Sequence, residues 1–372
     1  MSSCRLCGAP LRGAAGFDVP GAPVAAQAFT SSADAARASR TTLRIVECPS
    51  CGLVQSASPA VASYRQAITA AGVSASMRAH RLAQARRLAA SRAGARTALV
   101  GCGTGYELAV LAEAGLAPEG IEWGGAPPDY AGSWPIHDGY PGRDAPLPGG
   151  PYAACACFNF LEHAPDPAGF LRGIATALEA GAVGVFEVPN YAQMIRERRA
   201  FDYVADHLSY FDAGTLRTAL ALGGLLVDEI EEVRGGENLA AWVRPRASAP
   251  LAEHGVALAA IRADLIAHLQ AVRDRGGCAA VWGASHQALT LLSGTDPALL
   301  RGIIDSAAAK QGRFAPASGI PVVAPDDADV RTLDSVIIIA SGYVDEIRSC
   351  LTAMGFGGTA HAIRGGRIVS LD

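Results

Sequence analysis

Short apolar segments alternate with amphipathic ones along most of the chain, and this alternation predicts β-strands separated by helices. The apolar segments Thr97–Val100, Tyr152–Phe158 and Ala182–Val188 predict strands, and the periodic segments Glu107–Ala114 and Pro167–Leu178 predict helices. Strands that alternate with helices form a parallel sheet covered on both faces. The pattern therefore predicts an α/β domain with a Rossmann-like, doubly wound parallel sheet.

The alternation begins again after a long amphipathic helix predicted at Leu258–Arg275. Strands are predicted at Cys278–Trp282, Gly302–Asp305 and Ser335–Ala340, which indicates a second Rossmann-like unit, and the Pro- and Ala-rich stretch Pro245–Pro250 indicates the boundary between the two. The predicted organisation is a small metal-binding module over 1–60, linker helices over 61–95, a first α/β domain over 96–247 and a C-terminal Rossmann-like domain over 248–372.

Composition narrows the class of protein. Of 372 residues, 50% are hydrophobic and 18% are charged, which excludes wholesale disorder. The formal net charge of -4 argues against a dedicated nucleic-acid-binding protein, which would be clearly basic. No uninterrupted apolar run approaches the roughly 18 residues of a membrane helix, and the N-terminus lacks the apolar core of a signal peptide. We therefore expect a soluble cytoplasmic protein that binds neither nucleic acid nor a membrane.

Two Cys-x-x-Cys pairs occur in the N-terminal module, Cys4 with Cys7 and Cys48 with Cys51. Four thiolates from two turns complete a tetrahedral Zn²⁺ site with no open position, which is the arrangement of a structural site. Disulfides are disfavoured in a cytosolic chain, and a thioredoxin-like redox pair would need a single such motif near a βαβ unit. The spacing therefore predicts structural zinc.

A glycine-rich turn follows the first strand of the α/β domain and begins a helix. It reads Gly101-Cys102-Gly103-Thr104-Gly105, and Glu122 ends the next predicted strand. Glycines here permit a tight turn and the close approach of a ligand, and an acid at that spacing can accept hydrogen bonds from both hydroxyls of a ribose. These residues alone fit either a dinucleotide or S-adenosylmethionine (SAM).

The downstream sequence favours SAM. Phe158-Asn159-Phe160-Leu161-Glu162-His163-Ala164-Pro165-Asp166-Pro167 and the later Val185-Phe186-Glu187-Val188-Pro189-Asn190 resemble segments of the class I SAM-dependent methyltransferases. That resemblance implies that Asn159 and Phe160 lie beside the cofactor, and Asp138 is a candidate contact to its adenine. The chain departs from the pattern at Leu99, where these enzymes usually carry an acid.

The order of the domains resembles a more specific family, the three-domain NDP-sugar C-methyltransferases of natural-product pathways. Three further motifs agree with it: the stretch from Pro23-Val24-Ala25 to Phe29, the segment Ser74-Ala75-Ser76-Met77, and Asp206-His207-Leu208-Ser209-Tyr210-Phe211. The resemblance covers nearly the whole chain. It implies SAM as the cofactor, structural zinc, and a nucleotide-activated keto sugar as a possible substrate.

The resemblance implies that His207 is the base that removes a proton next to a ketone. An imidazole with an ordinary pKa near 6.5 suits that task at neutral pH, and Asp206 beside it would raise its basicity or hold its tautomer. The family's Tyr aligns with Val204, and Tyr203 could replace it only if the turn shifts. The chain therefore looks like a divergent branch.

Other candidate substrate contacts come from both α/β domains. In the first domain they are His163, Asn190 and Tyr210; in the second they are His286, at a predicted helix N-terminus, and Lys310, the only lysine of the chain, which is a candidate phosphate contact. Asp305 ends a strand as a ribose-binding acid would.

Three functions remain open from the sequence. The first is methylation at carbon of a nucleotide-activated keto sugar or a related natural-product intermediate. The second is methylation at nitrogen or oxygen of a non-sugar metabolite. The third is a degenerate, non-catalytic protein that binds SAM or a nucleotide, against which the intact glycine turn and Glu122 argue.

Overall fold

The computed structural model describes residues 3–25, 29–62, 64–65, 74–127 and 130–371. Part of the motif that ends at Phe29 and part of the predicted linker, residue 63 and residues 66–73, lie outside these ranges. The chain divides into two compact units, Met1–Ala247 and Ser248–Asp372, which are described separately.

The first unit carries two sheets and the helices that cover them. Its strands are β1 (Gly16–Pro23), β2 (Arg40–Glu47), β3 (Val54–Ser56), β4 (Arg96–Val100), β5 (Ala117–Glu122), β6 (Ile136–Asp138), β7 (Tyr152–Phe158), β8 (Leu178–Pro189), β9 (Ser209–Tyr210), β10 (Leu225–Val233) and β11 (Asn238–Pro245). Its α-helices are α1 (Ala33–Ala38), α2 (Ala75–Ser91), α3 (Tyr106–Glu113), α4 (Pro167–Ala175), α5 (Tyr191–Arg196) and α6 (Ala213–Leu222).

The larger sheet has the strand order β10-β11-β8-β7-β4-β5-β6. The five strands from β6 to β8 are parallel, and β11 is antiparallel to β8. Taken in chain order, the parallel strands run 3-2-1-4-5, which is the doubly wound order with a switch point between β4 and β7. The predicted Rossmann-like class I fold is confirmed, and ligands of such sheets bind at the carboxyl end of the strands beside that switch point.

Alternating side chains of the central strands fill separate cores on the two faces of this sheet. Leu99 lies opposite Ala156 and faces the core that α2 and α3 cover, whereas Val100 lies opposite Cys157 and faces the core that α4 and α6 cover. Because both faces are buried, these strands are continuous apolar runs in the sequence, which is why they could be predicted.

Two differences from the sequence prediction have local causes. The helix predicted at Pro167–Leu178 ends at Ala175, because Leu178 already begins β8. The strand β9 has only two residues, too few to show a pattern of alternation, and it was not predicted. It belongs to the smaller sheet, of order β1-β2-β3-β9, in the N-terminal module.

The second unit is another doubly wound sheet. Its helices are α7 (Leu251–Asp274), α8 (His286–Leu292) and α9 (Val344–Ala353), and its strands are β12 (Ala279–Trp282), β13 (Ile303–Ile304), β14 (Val322–Val323), β15 (Ser335–Ile338), β16 (Thr359–Arg364) and β17 (Arg367–Ser370). The strand order is β14-β13-β12-β15-β16-β17, parallel except for the final hairpin.

One described helix, α7, is long and apolar enough to cross a membrane by length and composition. This helix is not an uninterrupted apolar run in the sequence, because charged residues, Arg262 and Asp264 among them, divide the apolar stretch. A single helix of this kind is weak evidence of a membrane span, since helices of water-soluble proteins pass the same test.

Candidate active site

The glycine turn after β4 adopts a backbone that other residues would strain. Gly101, Gly103 and Gly105 have φ values of 72°, 51° and 77°. A Cβ atom at Gly101 would come within 2.4 Å of the Phe160 ring. The turn therefore needs glycine both for its conformation and for the close approach of Phe160.

The two other residues of the turn differ in what they can offer a ligand. The Cys102 side chain is buried in the core, where its sulfur would lie 2.6 Å from a Cβ at Gly120, so only its backbone can face a ligand. Burial raises the pKa of the Cys102 thiol to about 12, and the nearby Glu122 adds to this shift. Thr104 is exposed.

The Glu122 carboxylate braces the turn. Its Oε2 accepts a hydrogen bond from the Gly103 amide at 2.8 Å, and its Oε1 accepts one from the Trp123 amide at 3.3 Å. A carboxylate has about four acceptor positions, so it can hold the turn and accept further hydrogen bonds. The acid thus holds the loop and also faces the position where a ribose would lie.

Aromatic rings and one arginine line the neighbouring cleft. The Arg65 guanidinium lies 4.4 Å from the centre of the Trp123 ring and 5.6 Å from that of Tyr140. Trp123, which directly follows Glu122, is half exposed and offers a surface for an adenine ring. Asp138, the predicted adenine contact, is exposed and accepts a hydrogen bond from the Gly124 amide at 2.8 Å.

The residues present fit SAM at the adenosine end. The strained glycine turn, the acid at the end of β5 and the aromatic Trp123 lie together at the carboxyl edge of β4 and β5. Phe160 and Asn159 follow β7, across the switch point from the turn, and Asn159 itself has a φ of 49°. The predicted cofactor residues are thereby brought to one edge of the sheet.

A separate cavity of about 350 Å³ lies beside this edge, and it is lined by residues that follow β7, β8 and the segment before β9. Of the predicted site residues, Asn159, Asn190, His207 and Tyr210 line it. The cavity is large enough for a sugar-sized acceptor and small enough to surround it.

His207 lines this cavity and packs against the ring of His163, which does not line it. Their ring centres are 5.0 Å apart in an edge-to-face arrangement. The Nδ1–H of His163 donates to the backbone carbonyl of Asp206 at 2.7 Å, which leaves the Nε2 lone pair of His163 unprotonated in the neutral ring. Burial lowers the pKa of His163, although the Asp206 carbonyl opposes the shift.

The expectation that Asp206 makes His207 more basic does not hold in the structure. Burial lowers the pKa of His207 to about 3, and the neighbouring His163 adds to the shift. The contribution of Asp206 is its backbone carbonyl, which orients His163, and its side chain is buried. His207 is therefore neutral at pH 7, and desolvation of the ring makes it a weaker base than an ordinary imidazole.

The loop that carries His207 is closed by Tyr210. The Tyr210 hydroxyl accepts a hydrogen bond from the Val204 amide at 3.0 Å and donates one to the Val204 carbonyl at 3.3 Å. Tyr203 packs edge-to-face against Phe17 at 5.0 Å, and its hydroxyl contacts that of Tyr191. Val204, rather than Tyr203, lines the cavity, so the turn does not shift to put Tyr203 in the family's tyrosine position.

Asn190 caps a helix at the edge of the cavity. Its Oδ1 accepts from the Ala192 amide at 3.1 Å, and its Nδ2 donates to the Gly236 carbonyl at 2.9 Å. Both polar atoms therefore have partners within the protein, and the side chain holds α5 against the segment before β11.

Two groups of side chains could be considered as metal ligands. Glu162, His163 and His207 have ligand atoms within 4.8 Å of one another, and the Nε2 of His163 is 4.0 Å from the Oε1 of Glu162. A metal with bonds of about 2.0–2.2 Å places its ligand atoms only about 3.3–3.6 Å apart, so this cluster is too wide to hold an ion as it stands. Burial raises the pKa of Glu162 to about 8, so this acid is largely protonated at neutral pH.

The four cysteines of the N-terminal module fit a metal well. The sulfurs of Cys4 and Cys51 are 3.7 Å apart, as are those of Cys7 and Cys48. Zinc–sulfur bonds of about 2.3 Å in tetrahedral geometry place sulfurs about 3.8 Å apart. Both knuckles are closed by glycine at positive φ, Gly8 and Gly52, so the backbone also has the expected form.

This cysteine module is joined by backbone pairing to the loop that carries His207. The Gln55 side chain donates to the sulfur of Cys4 at 3.1 Å, and Gln55 lies in β3, opposite Ser209 of β9. The Ser56 amide also donates to the Leu208 carbonyl at 3.0 Å. The backbone on the C-terminal side of His207 is therefore a strand of the cysteine module's sheet.

The two predicted substrate contacts in the second unit, His286 and Lys310, lie in different surroundings. His286 is exposed at the start of α8. The Lys310 amine donates to Asp305 and to the Ala284 carbonyl, both at 3.0 Å, so its charge already has an acidic partner. Asp305 also accepts from the Ala284 amide at 2.8 Å, which repeats the bond between Glu122 and Gly103. A cavity of about 530 Å³ in this unit lies at the carboxyl ends of β15 and β16 and is lined by neither His286 nor Lys310.

Sequence reasoning missed several residues at the site. Trp123 could have been found, because an aromatic residue directly after a ribose-binding acid is a local signal. Arg81 and Glu187 could not, because 106 positions separate them and only the fold brings them together. The same is true of Gln55, whose role depends on the pairing of β3 with β9.

Comparison with known proteins agrees with this geometry. A family model described as a methyltransferase domain matches residues 75–230, and one described as the C-methyltransferase C-terminal domain matches residues 228–363. The curated C-methyltransferase NovU of Streptomyces niveus is 26% identical over 211 residues. The match covers 50% of this chain and spans only half the length of that relative.

Solved structures give more distant matches. The amino pentose methyltransferase CalS10 of Micromonospora echinaspora has a TM-score of 0.36 and 18% identity, and the match covers 45% of this chain and 91% of that one. The CcbJ methyltransferase of Streptomyces caelestis has a TM-score of 0.36 and 16% identity, with 45% and 89% covered. Two adjoining regions that together span residues 75–363 thus match family models, a methyltransferase domain followed by a C-methyltransferase C-terminal domain.

Proposed function

We propose that this protein is a SAM-dependent C-methyltransferase that acts on a sugar-like or natural-product ketone. The observation that carries the proposal is the placement of His207 at a cavity beside the carboxyl edge of the sheet that bears the glycine turn and Glu122, with the ring of His163 packed against it. A carbon acceptor needs such a base because its C–H bond must lose a proton before the carbon can react.

SAM, when bound, supplies an electrophilic methyl group. Glu122 would hold its ribose, the turn Gly101–Gly105 would surround its central part, and Trp123 would contact its adenine. These roles require no movement of the carboxylate, because Glu122 already lies at the carboxyl edge of β5.

His207 would start the reaction by taking a proton from the carbon next to the acceptor's carbonyl. The electron pair of that C–H bond becomes the C=C bond of an enolate, and the carbonyl oxygen takes the negative charge. The neutral ring of His207 has a lone pair for the proton, while its lowered pKa makes it a weaker base than a free imidazole. His163, oriented by the Asp206 carbonyl, has an unprotonated Nε2 and packs against the His207 ring.

The finer proposal is that the acceptor is a nucleotide-activated keto sugar and that the second unit has a nucleotide-binding site. The NovU relative, named as a C-methyltransferase, and the match to a C-methyltransferase C-terminal domain support this direction. The cavity of about 530 Å³ at the carboxyl ends of β15 and β16, beside polar residues such as Gln287 and Arg364, is a better candidate for this contact than Lys310.

Hydrogen exchange separates carbon transfer from transfer to nitrogen or oxygen. The protein is incubated in D₂O with S-adenosylhomocysteine (SAH) and a panel of nucleoside-diphosphate 4-keto sugars. The molecular mass of each sugar is then measured by mass spectrometry. We expect one deuterium to enter the true acceptor. An acceptor that is methylated with SAM but takes up no deuterium would show that the methyl group goes to a heteroatom.

Removal of the Glu122 carboxylate should weaken cofactor binding. Glu122→Ala loses a charge-assisted hydrogen-bonding group, which is worth about 1.5–3 kcal/mol, or roughly 10- to 150-fold in SAH affinity. Calorimetric titration with SAH measures the change. Asp144→Ala is the matched control, since Asp144 is an exposed acid outside the predicted cofactor residues, and we expect SAH affinity to stay unchanged. Equal SAH affinity in the wild type and in Glu122→Ala would show that this acid does not bind the cofactor.

We also propose that Cys4, Cys7, Cys48 and Cys51 hold one structural Zn²⁺. Their sulfur separations support this assignment, and elemental analysis of purified protein should find about one zinc per chain. Cys48→Ser should reduce the zinc content strongly, whereas Cys350→Ser, an exposed cysteine of the second unit, should leave it unchanged. A zinc content below half an equivalent in metal-replete wild-type protein would contradict the assignment.

A further inference from the structure

The acid that class I enzymes usually carry before the glycine turn is replaced here by Leu99. Leu99 is buried in an apolar cluster and has no polar group to offer a cofactor. The amino-acid end of SAM carries an ammonium and a carboxylate, and both groups need partners. Charged groups on the same face of the sheet could supply them.

Glu187 lies on that face, two strands away from β4. Leu99 is opposite Ala156, and Ala156 is opposite Val185, so these three side chains form one row. Glu187 is two residues further along β8, on the same face and nearer the carboxyl edge. Its side chain is fully buried.

Helix α2 surrounds one oxygen of Glu187. The side chains of His80, Arg81 and Gln84 each contact its Oε2 at 2.7 Å. These neighbours lower the pKa of Glu187 to about 2 against the effect of burial, so it carries a full negative charge. The charge is thus held in place by the helix that precedes β4.

Two polar atoms of this cluster are unsatisfied. The Oε1 of Glu187 and the Nε of Arg81 are buried and have no hydrogen-bond partner among the described residues. A buried polar atom without a partner is destabilising, and here one acceptor and one donor of the same ion pair are both unsatisfied. An unpaired acceptor and an unpaired donor are what an ammonium and a carboxylate would require.

The cluster adjoins the cofactor edge through Asn159. Arg81 donates from Nη2 to the Asn159 Oδ1 at 3.2 Å, and its guanidinium lies 4.0 Å from the centre of the Phe158 ring. Asn159 ends the β7 segment and precedes Phe160, whose ring contacts Gly101. The pair therefore lies at the carboxyl end of β7 and β8, beside the switch point.

We infer that Arg81 and Glu187 bind the amino-acid end of SAM, with Arg81 facing its carboxylate and Glu187 facing its ammonium in place of the acid absent at Leu99. This inference rests on the proposed function, because it requires SAM to be the cofactor. It assigns a role to α2, which the sequence predicts only as a linker.

The test compares two ligands that differ in the amino-acid end. SAH contains that end, and 5′-methylthioadenosine lacks it while keeping the adenosine. Binding of both is measured by calorimetry for wild type, Arg81→Met and the double variant Arg81→Met with Glu187→Gln, which leaves no unpaired buried charge. We expect SAH affinity to fall about 10- to 100-fold in both variants and methylthioadenosine affinity to stay within about two-fold.

The matched control is Arg86→Met, which changes an exposed arginine of the same helix and should leave both affinities unchanged. Equal losses for SAH and methylthioadenosine would show a general structural role and overturn the inference, as would SAH affinity at the wild-type level. Wild-type protein that binds neither ligand would overturn the proposed function itself, and this inference with it.

Discussion

His207→Asn should lower the turnover of the methyltransferase by about 10²–10⁴-fold, while SAH affinity stays nearly unchanged. The range is that of a general base, which acts in the transition state and contributes little to cofactor binding. Asparagine keeps the approximate size and polarity of the side chain, so the edge-to-face packing on His163 is disturbed little. Turnover is measured as substrate-dependent formation of SAH.

The pH profile gives an independent check on the same residue. The folded pKa of His207 is lowered by burial to about 3, and the base works in its neutral form, which predominates above that pKa. The part of the kcat/KM pH profile that depends on His207 should therefore be flat between about pH 7 and 5. A base with the unperturbed imidazole pKa near 6.5 would lose most of its activity over the same range.

Two results would contradict the assignment of His207. One is near-normal turnover of His207→Asn on the true acceptor. The other is an equal loss of SAH affinity and turnover, which would indicate a structural role. Tyr203→Phe is the control variant, because Tyr203 packs against Phe17 and does not line the cavity, and it should cost less than about ten-fold.

Removal of the metal from the cysteine module should lower turnover by about 10²-fold, because a displacement near 1 Å of a catalytic group has an effect of that size. The physical path is short: Gln55 bonds the sulfur of Cys4 and pairs with Ser209, two residues after His207. Loosening of β3 would release β9 and with it the loop that positions His207. SAH affinity should stay within about two-fold, since the glycine turn and Glu122 belong to the other sheet.

The experiment treats the purified protein with a zinc chelator and measures zinc content, SAH affinity and turnover on the same sample. Restoration of turnover on re-addition of Zn²⁺ separates metal loss from irreversible unfolding. Gln55→Leu provides a second route, because it breaks the contact to Cys4 without removing a cysteine, and it should lower turnover with zinc retained. Full turnover after complete zinc removal would show that the module does not position the catalytic loop.

The outcome for His207 shows how far local sequence reasoning reaches. Its position in a recognisable segment predicted that it is a base. The fold places it at a cavity, with its ring against that of His163. The lowered pKa of His207 could not be predicted from its sequence neighbours. A pKa depends on desolvation, and desolvation depends on which residues the rest of the chain packs around the ring. The neighbouring Asp206 suggested a carboxylate partner, but the structure uses its backbone carbonyl and orients His163 instead.

By itself the sequence determined the features that depend on neighbouring residues. The apolar runs of β4, β7 and β8, the glycine turn with its positive φ angles and the two cysteine knuckles are local, because strand burial, turn geometry and chelate spacing are encoded within a few positions. Only the tertiary structure decided which distant segments meet. The pairing of β3 with β9 and the contact of Arg81 with Glu187 join residues more than 100 positions apart. Such contacts arise from strand order and helix packing, which leave no periodic pattern in the residues that make them.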